Sequence, residues 1–434
     1  MGGKLSVFWF RRDLRLADNH GLYQALMSGN NVLPIFIFDT EILSQLENKE
    51  DRRVDFIFQA LNDMNDELEK SGKSIQIFHG KPLEIFQKIT QNFVVEKVFC
   101  NEDYEPSAIK RDVAVAEFLN LKNIQFYSFK DQVHFHKDDI LKSDQTPYTV
   151  YTPYSKQWLL KYNADETKNY PSEKYLQNLK KVERQKFSLE TFGFRSTGLK
   201  FKRPEINAEI LKHYHETRNF PATKTSEMSV HLRFGTISVR ILAQTAASLN
   251  QTYLKELIWR EFFMQILYHF PKVVHQSFKG KYDRISWVNN PEDLKKWQEG
   301  NTGYPLVDAG MRELNQTGFM HNRVRMVCAS FLTKHLLTDW RIGEAYFAEK
   351  LLDYDLSANN GNWQWSAGSG CDAAPYFRVF NPEEQQKKFD PDFVYIKKWV
   401  KKYGTPSYSK PVIDHKFARE RALETYKKGL QELL

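Results

Sequence analysis

The spacing of apolar residues changes character along the chain. Up to about residue 130, short apolar, β-branched or aromatic runs occur at Leu5–Phe10, Val32–Phe38, Ser74–Phe78, Glu96–Cys100 and Ile124–Phe129. Between the later runs lie segments of helical period, clearest in Val54–Leu68 (Val54, Ile57, Phe58, Leu61, Met64, Leu68) and Ile109–Leu119. Such strand–helix alternation predicts a parallel sheet covered on both faces, a doubly wound α/β domain over residues 1–130. Where a dinucleotide fold would carry GxGxxG after its first strand, this chain has Arg11-Arg12-Asp13, so no dinucleotide is expected at that turn. From residue 131 to 205 the periodicity fades among Pro147, Pro153, Pro171 and many Lys, Ser and Asn residues. This stretch reads as an interdomain connection with short helices, one around Tyr154–Tyr162. Over residues 206–434 nearly every segment is helical in pattern, punctuated by Gly235, Pro271, Gly280, Pro291, Gly303, Pro305, Gly318, Gly343 and Gly361. An all-helical C-terminal domain is expected there, making the fold class α/β plus all-α.

Composition adds a few bounds. A chain of 434 residues exceeds what one hydrophobic core usually serves, in keeping with two domains. The longest apolar run, Val32–Phe38, is far too short for a membrane span, and Arg11, Arg12 and Asp13 interrupt the early apolar stretch of a signal peptide. Cys100, Cys328 and Cys371 form no CxxC pair, which fits a reducing, cytoplasmic setting, nucleoid-associated in a prokaryote. No repeat or oligomerisation signature is visible, so a monomer is expected. A net charge of +8 permits a polyanionic partner such as nucleic acid. GxSxG, HExxH and Walker lysine motifs are all absent, which removes the footing for hydrolase and nucleoside-triphosphatase readings.

Six of the nine tryptophans, Trp259, Trp287, Trp297, Trp340, Trp363 and Trp365, crowd together beside charged residues, a placement that core packing does not require. In Glu256–Phe263, helical spacing puts Glu256, Trp259, Arg260 and Phe263 on one face. That face is either a boundary helix with one Glu–Arg pair or a platform that stacks a planar base while the carboxylate binds its polar edge. His321-Asn322-Arg323-Val324-Arg325-Met326 opens a helix that continues apolar, so Arg323 and Arg325 call for anionic partners. Candidates for that pairing are the carboxylates of Asp353-Tyr354-Asp355; with no His or further acid at ligand spacing, no metal is expected there. The run that follows, Leu356 to Trp365, is rich in Asn and Gly and reads as a poor helix offering amides to a ligand. Thr225-Ser226-Glu227-Met228-Ser229 reads as a helix cap that can also present backbone N–H groups to a diphosphate.

Trp9-Phe10-Arg11-Arg12-Asp13-Leu14-Arg15, Glu256–Phe262, Gly303–Asp308, Met320–Met326, Asp353–Trp365 and Ala373–Arg378 together resemble the photolyase/cryptochrome family, in order and spacing. The resemblance spans nearly the whole chain and is greatest to the class I cyclobutane pyrimidine dimer DNA photolyases. It implies FAD in the helical domain, contacted or positioned by Tyr214, Thr225, Ser226, Met228, Ser229, Asn322, Arg325, Asp353, Asp355 and Asn359. It further implies an Arg325–Asp353 ion pair against the flavin, Asn359 beside its N5, and an electron relay through Trp363, Trp340 and Trp287.

The implied activity is light-driven repair of cyclobutane pyrimidine dimers in UV-damaged DNA, by electron transfer from excited reduced FAD to the flipped-out dimer. Glu256 would hydrogen-bond the dimer, Trp259 and Trp365 pack against it, Asn322 and Met326 line its pocket, and Arg218, Arg260, Arg323 and Gln385 meet DNA. A (6-4) photolyase would need histidines where Asn322 and Met326 stand. A cryptochrome, a flavin photoreceptor without repair, is the alternative; it often carries an extended tail, whereas this chain ends about fifty residues after Pro382. A second, antenna chromophore, methenyltetrahydrofolate or a deazaflavin, is also implied in some members. Glu105 stands at a folate-binding position, but Val274 stands where a lysine is expected, and Glu227 stands where a basic or neutral residue is common.

Overall fold

The computed structural model describes residues 4–164 and 167–431. Five strands form one parallel sheet: β1 (Leu5–Phe10), β2 (Asn31–Asp39), β3 (Gln76–Gly80), β4 (Val95–Asn101) and β5 (Gln125–Phe129), in the order β3-β2-β1-β4-β5. All five runs expected from sequence are strands, with ends displaced by at most two residues. The central strand β1 is buried at every position, as a strand covered on both faces must be. Trp9, Ile35, Phe86, Val98 and Leu119 pack with their neighbours into the core. The two periodic segments form the helices Arg52–Glu69 and Pro106–Leu121.

Polar side chains close the loop after β1. Asn101 Nδ2 donates to Asp13 Oδ2 (2.6 Å) and Asn19 Oδ1 (2.8 Å), and the Arg11 backbone N–H donates to Asp13 Oδ1 (2.6 Å). The Arg11 guanidinium pairs with Asp112. Arg15 and Arg240 share the buried Asp131 carboxylate at 2.7 and 2.9 Å. Burial pulls that carboxyl up, but the two guanidiniums outweigh it and leave its pKa lowered. Glu105, expected as an antenna ligand, is already engaged by Arg12 (2.9 Å) and Arg233 (3.1 Å). A folate bound there would have to displace an ion pair.

The chain divides into two compact units, each discontinuous in sequence. The sheet's unit takes in residues 1–139, 160–206 and 227–248, while the helical unit comprises 140–159, 207–226 and 249–434. A linear division at residues 130 and 205 was expected. The 131–205 stretch is instead shared, because its segments bury apolar residues in different cores. Trp158, on the helix Tyr151–Lys161, is fully buried and donates its indole N–H to Glu261 Oε2 at 2.7 Å, within the helical unit. Lys180 N–H bonds Val32 O at 2.8 Å and extends the sheet's unit.

In the helical unit no strand occurs among the described residues. Its main core gathers Trp297, Leu306, Val307, Val324, Cys328, Leu332, Trp340, Phe347 and Trp363. The helices Pro305–Thr317 and Asn322–Ser330 approach closely at Gly310, where an added Cβ would lie 2.3 Å from Val324 Cγ1. Among the described residues no helix is long and apolar enough to cross a membrane.

Candidate active site

The helix Leu356–Ala367 carries much of the site and corrects the sequence reading, which took this Asn- and Gly-rich run for a poor helix. Propensity here is overridden by tertiary partners. Asp355 caps the N-terminus by accepting from Ala358 N–H at 3.1 Å. Asn360 Nδ2 and Gln364 Nε2 both donate to Val273 O (3.0 and 3.1 Å), and Gln364 Oε1 accepts from Phe278 N–H at 2.8 Å. Gly361 permits close approach, since a Cβ there would lie 2.2 Å from Phe263 Cδ1. At the C-terminus Gly368 (φ 90°) takes the left-handed cap, and the buried Lys334 donates to Ala367 O at 3.0 Å. Lys334 lies on a π-turn, Phe331–His335, and stands 3.5 Å from the centre of the Tyr426 ring. Burial without a carboxylate neighbour holds its ammonium well below the usual lysine range.

One face of that helix lines a cleft of about 570 Å³, part of it open to solvent. The cleft brings together eight residues named from sequence: Asn322, Arg325, Met326, Asp353, Asp355, Asn359, Trp363 and Trp365. Arg325 Nη2 meets Asp353 Oδ2 at 2.8 Å, while its Nε donates to Met320 O at 2.7 Å. The second oxygen, Asp353 Oδ1, is buried with no hydrogen-bond partner. Such an orphan is costly unless a ligand supplies a donor. Asn359 Nδ2 is held twice by Glu344, through its carbonyl (3.0 Å) and Oε1 (2.9 Å). Burial raises the Glu344 carboxyl and the Asn359 bond partly offsets this.

Arg323 does not find the anion expected of it. It donates to Asn219 Oδ1 (2.6 Å) and lies 4.5 Å from the centre of the Phe389 ring, with Nε buried and unpartnered. Burial lowers its pKa, and Arg218 and Arg378 lower it further. The three guanidiniums thus lie near enough to disfavour one another's charge. Arg378, which stands 6.0 Å over Trp365, was not named as a DNA contact from sequence, although it ends a motif used there. Arg218, expected to meet DNA, pairs with Glu256 at 2.6 Å. Burial raises the Glu256 carboxyl, with Arg218 opposing. Gln385, on the helix Pro382–Phe389, has its Oε1 buried without a partner, and Arg260 is partly buried one turn beyond Glu256.

Trp259, on the face read either as a boundary helix or as a stacking platform, has one side covered by Tyr151, 3.6 Å away and within 6° of parallel. Tyr214 packs edge-on to Tyr253 at 4.9 Å, and Ser226 Oγ lies 3.0 Å from the Tyr253 hydroxyl. Thr225 is exposed. Met228 and Ser229 open the short helix Met228–Phe234 of the other unit; Glu227 before them has φ 55° and makes no side-chain cap bond, so the expected hydroxyl cap is absent. Trp363 and Trp340 are buried and Trp287 is partly exposed. Trp363 lies against Phe347 (5.0 Å) and also Trp297 (6.2 Å), a contact that sequence reading left unassigned.

His321 caps the helix Asn322–Ser330, its Nδ1 accepting from Arg323 N–H at 3.1 Å. Burial, then Arg325 and Arg323, push its pKa down to about 4 from 6.5. The unfolded chain therefore takes up this proton first as pH falls, and the stability contribution, full above pH 6.5, is lost toward pH 4. An H321N variant keeps a capping side chain but cannot titrate. Its urea midpoint should fall less than the native one between pH 6.5 and 4, and parallel curves would show that His321 does not contribute.

Comparisons with known proteins place the chain in a family. The family model for the FAD binding domain of DNA photolyase matches residues 253–405, and that for DNA photolyase matches residues 6–172. The chain is 35% identical to a deoxyribodipyrimidine photo-lyase of Escherichia coli, over 97% of this chain and 98% of the relative. Among solved structures it is similar to a class III photolyase from Agrobacterium tumefaciens (TM-score 0.86, 31% identity, covering 99% of this chain and 98% of that one). It is also similar to a cryptochrome from Synechocystis (TM-score 0.83, 25% identity, covering 98% and 99%). The chain belongs to the DNA photolyase family, with that family's FAD-binding domain in its helical half.

Proposed function

We propose that the protein is a deoxyribodipyrimidine photo-lyase that repairs cyclobutane pyrimidine dimers in UV-damaged DNA. The observation that carries this reading is the cleft in which the Arg325–Asp353 pair leaves Asp353 Oδ1 buried and unpartnered, lined also by Asn322, Met326 and Trp365. Bound in its reduced form, FAD would supply on excitation the electron that splits the dimer. Arg325, Asp353 and Asp355 would hold the cofactor; Asn359, its amide fixed by Glu344, would face the flavin, and Tyr214, Thr225, Ser226, Met228, Ser229 and Asn322 would be the further contacts. Trp363, Trp340 and Trp287 pass an electron inward from the surface. An antenna chromophore is part of the same reading, with no ligand identified by the residues here.

Enzymes that act on a base in DNA, photolyases among them, take it out of the stack. Trp259 and Trp365 give the flipped dimer apolar surface, Asn322 and Met326 line its pocket, and Glu256 hydrogen-bonds its polar edge. The guanidiniums of Arg323 and Arg378 take phosphates, with Arg260 and Gln385 beside them, and Arg218 both holds Glu256 and faces the same anion. Histidines needed for (6-4) chemistry are absent at Asn322 and Met326, which favours the cyclobutane lesion.

The test is illumination of the flavin-loaded protein with an oligonucleotide bearing one thymine dimer. Dimer cleavage in blue light and none in the dark is the expected result, with E256Q slower by about tenfold or more. A flavin that photoreduces without any dimer cleavage would overturn the enzyme reading and favour a photoreceptor.

A further inference from the structure

Tyr151 belongs to none of the motifs that mark the site and falls in the stretch expected to be a passive connection. Its ring covers the Trp259 indole face to face, with centroids 3.6 Å apart and planes within 6°. Aromatic pairs prefer an offset or edge-on arrangement, so a close parallel pair implies that other bonds fix the rings. Tyr151 has two such bonds. Its hydroxyl donates to Lys255 O at 2.9 Å, and its backbone N–H donates to Asp372 Oδ2 at 2.9 Å. Phe262 closes the side, edge-on to Tyr151 at 5.9 Å and to Trp259 at 5.7 Å. The hydroxyl bond and Phe262 hold the ring, and the N–H bond holds its backbone. One face of the indole is thereby covered, leaving the other for a base to stack on.

We infer that Tyr151 is a positioning residue of the lesion pocket, a fixed backing plate that holds the Trp259 indole in the plane met by the flipped-out dimer. The inference rests on the proposed lesion-binding role of Trp259. The hydroxyl anchor also reaches further, because Lys255 immediately precedes Glu256: the bond that locks the ring locks the turn carrying the carboxylate. Burial raises the Tyr151 phenol pKa, and Glu256 raises it further, so the hydroxyl remains a donor throughout the neutral range.

The test measures binding in the dark, with flavin-loaded full-length protein and two oligonucleotides, one carrying a single thymine dimer and one undamaged. Methionine fills the volume of Tyr151 without a rigid ring plane. Y151M is expected to raise Kd for the dimer oligonucleotide roughly five- to tenfold, with flavin content and affinity for undamaged DNA unchanged. Y151F keeps the ring, the Phe262 contact and the backbone anchor but loses the bond to Lys255, so its dimer affinity should fall between those of Y151M and the native protein. D372A releases only the backbone anchor and should weaken dimer binding in the same direction, which serves as the test should Y151M not fold. Native dimer affinity in Y151M or D372A, with W259A still weakened, overturns the backing role alone. Native affinity in W259A as well overturns the lesion-pocket reading on which it rests. A Y151F variant as weak as Y151M also overturns it, because stacking would then not be what matters.

Discussion

Asp353→Ala is expected to give protein that retains less than about a tenth of the native FAD and unfolds at lower denaturant concentration. Both effects follow from one carboxylate. Oδ2 neutralises Arg325 at 2.8 Å, and Oδ1 is buried and waiting for a donor. Removing the carboxylate leaves Arg325 its bond to the Met320 carbonyl and a charge without its counterion. Breaking a buried pair costs about 3–5 kcal/mol; the Arg325 side chain is 27% exposed, so about 2 kcal/mol is a better expectation here. A charge-assisted bond to a cofactor N–H or hydroxyl adds about 1.5–3 kcal/mol, a tenfold or greater change in retention. D353N separates the two: it keeps the shape and loses the charge, so it should fall between alanine and the native residue. Flavin absorbance per protein after gel filtration reads the first effect and urea denaturation of the apoprotein the second. Native flavin content in D353A would falsify the cofactor role of this pair.

The second large effect is predicted at Gly343, a helical glycine packed against Trp363 and Leu332. A Cβ placed there would lie 2.2 Å from Trp363 Cη2 and 2.5 Å from Leu332 Cδ2. The neighbours cannot yield easily, because Trp363 is 2% exposed and Leu332 fully buried. Overpacking of this kind costs about 1–3 kcal/mol, against which the better helix propensity of alanine returns under about 1 kcal/mol. G343A should therefore be destabilised, and G343V more so. The displaced indole is the one proposed to stand nearest the flavin, so light-driven flavin reduction should slow in the folded variant while flavin content stays near native. At Gly280 an added Cβ meets nothing within 4 Å, which makes G280A the neutral control. Unchanged photoreduction in a folded G343V would argue against Trp363 as the relay member next to the flavin.

Where periodicity was the signal, the sequence reading held. Strands such as Leu5–Phe10 and helices such as Arg52–Glu69 announce themselves through local spacing, because burying one face of a regular element imposes a fixed period. The helix Leu356–Ala367 escaped that reading for the opposite reason. Its Asn and Gln side chains are poor helix formers in isolation, and what stabilises them is distant: Val273, Phe278, Glu344 and Lys334. Tyr151 and Trp158 were hidden in a proline-broken stretch, since nothing within it tells which core receives its aromatic residues.

The residues of the site were named by motif, but motif could not assign partners. By itself the sequence determined the α/β sheet, the helical half, the family, and the absence of histidines where (6-4) chemistry needs them. Tertiary structure alone decided that Arg325 takes Asp353, that Glu256 takes Arg218, and that Arg323 is left among other guanidiniums. It also decided that residues 227–248 join the sheet's unit. The physical reason is range. Period and propensity act over a few residues, whereas which charge meets which, and which aromatic face is covered, depends on segments brought together only when the cores close.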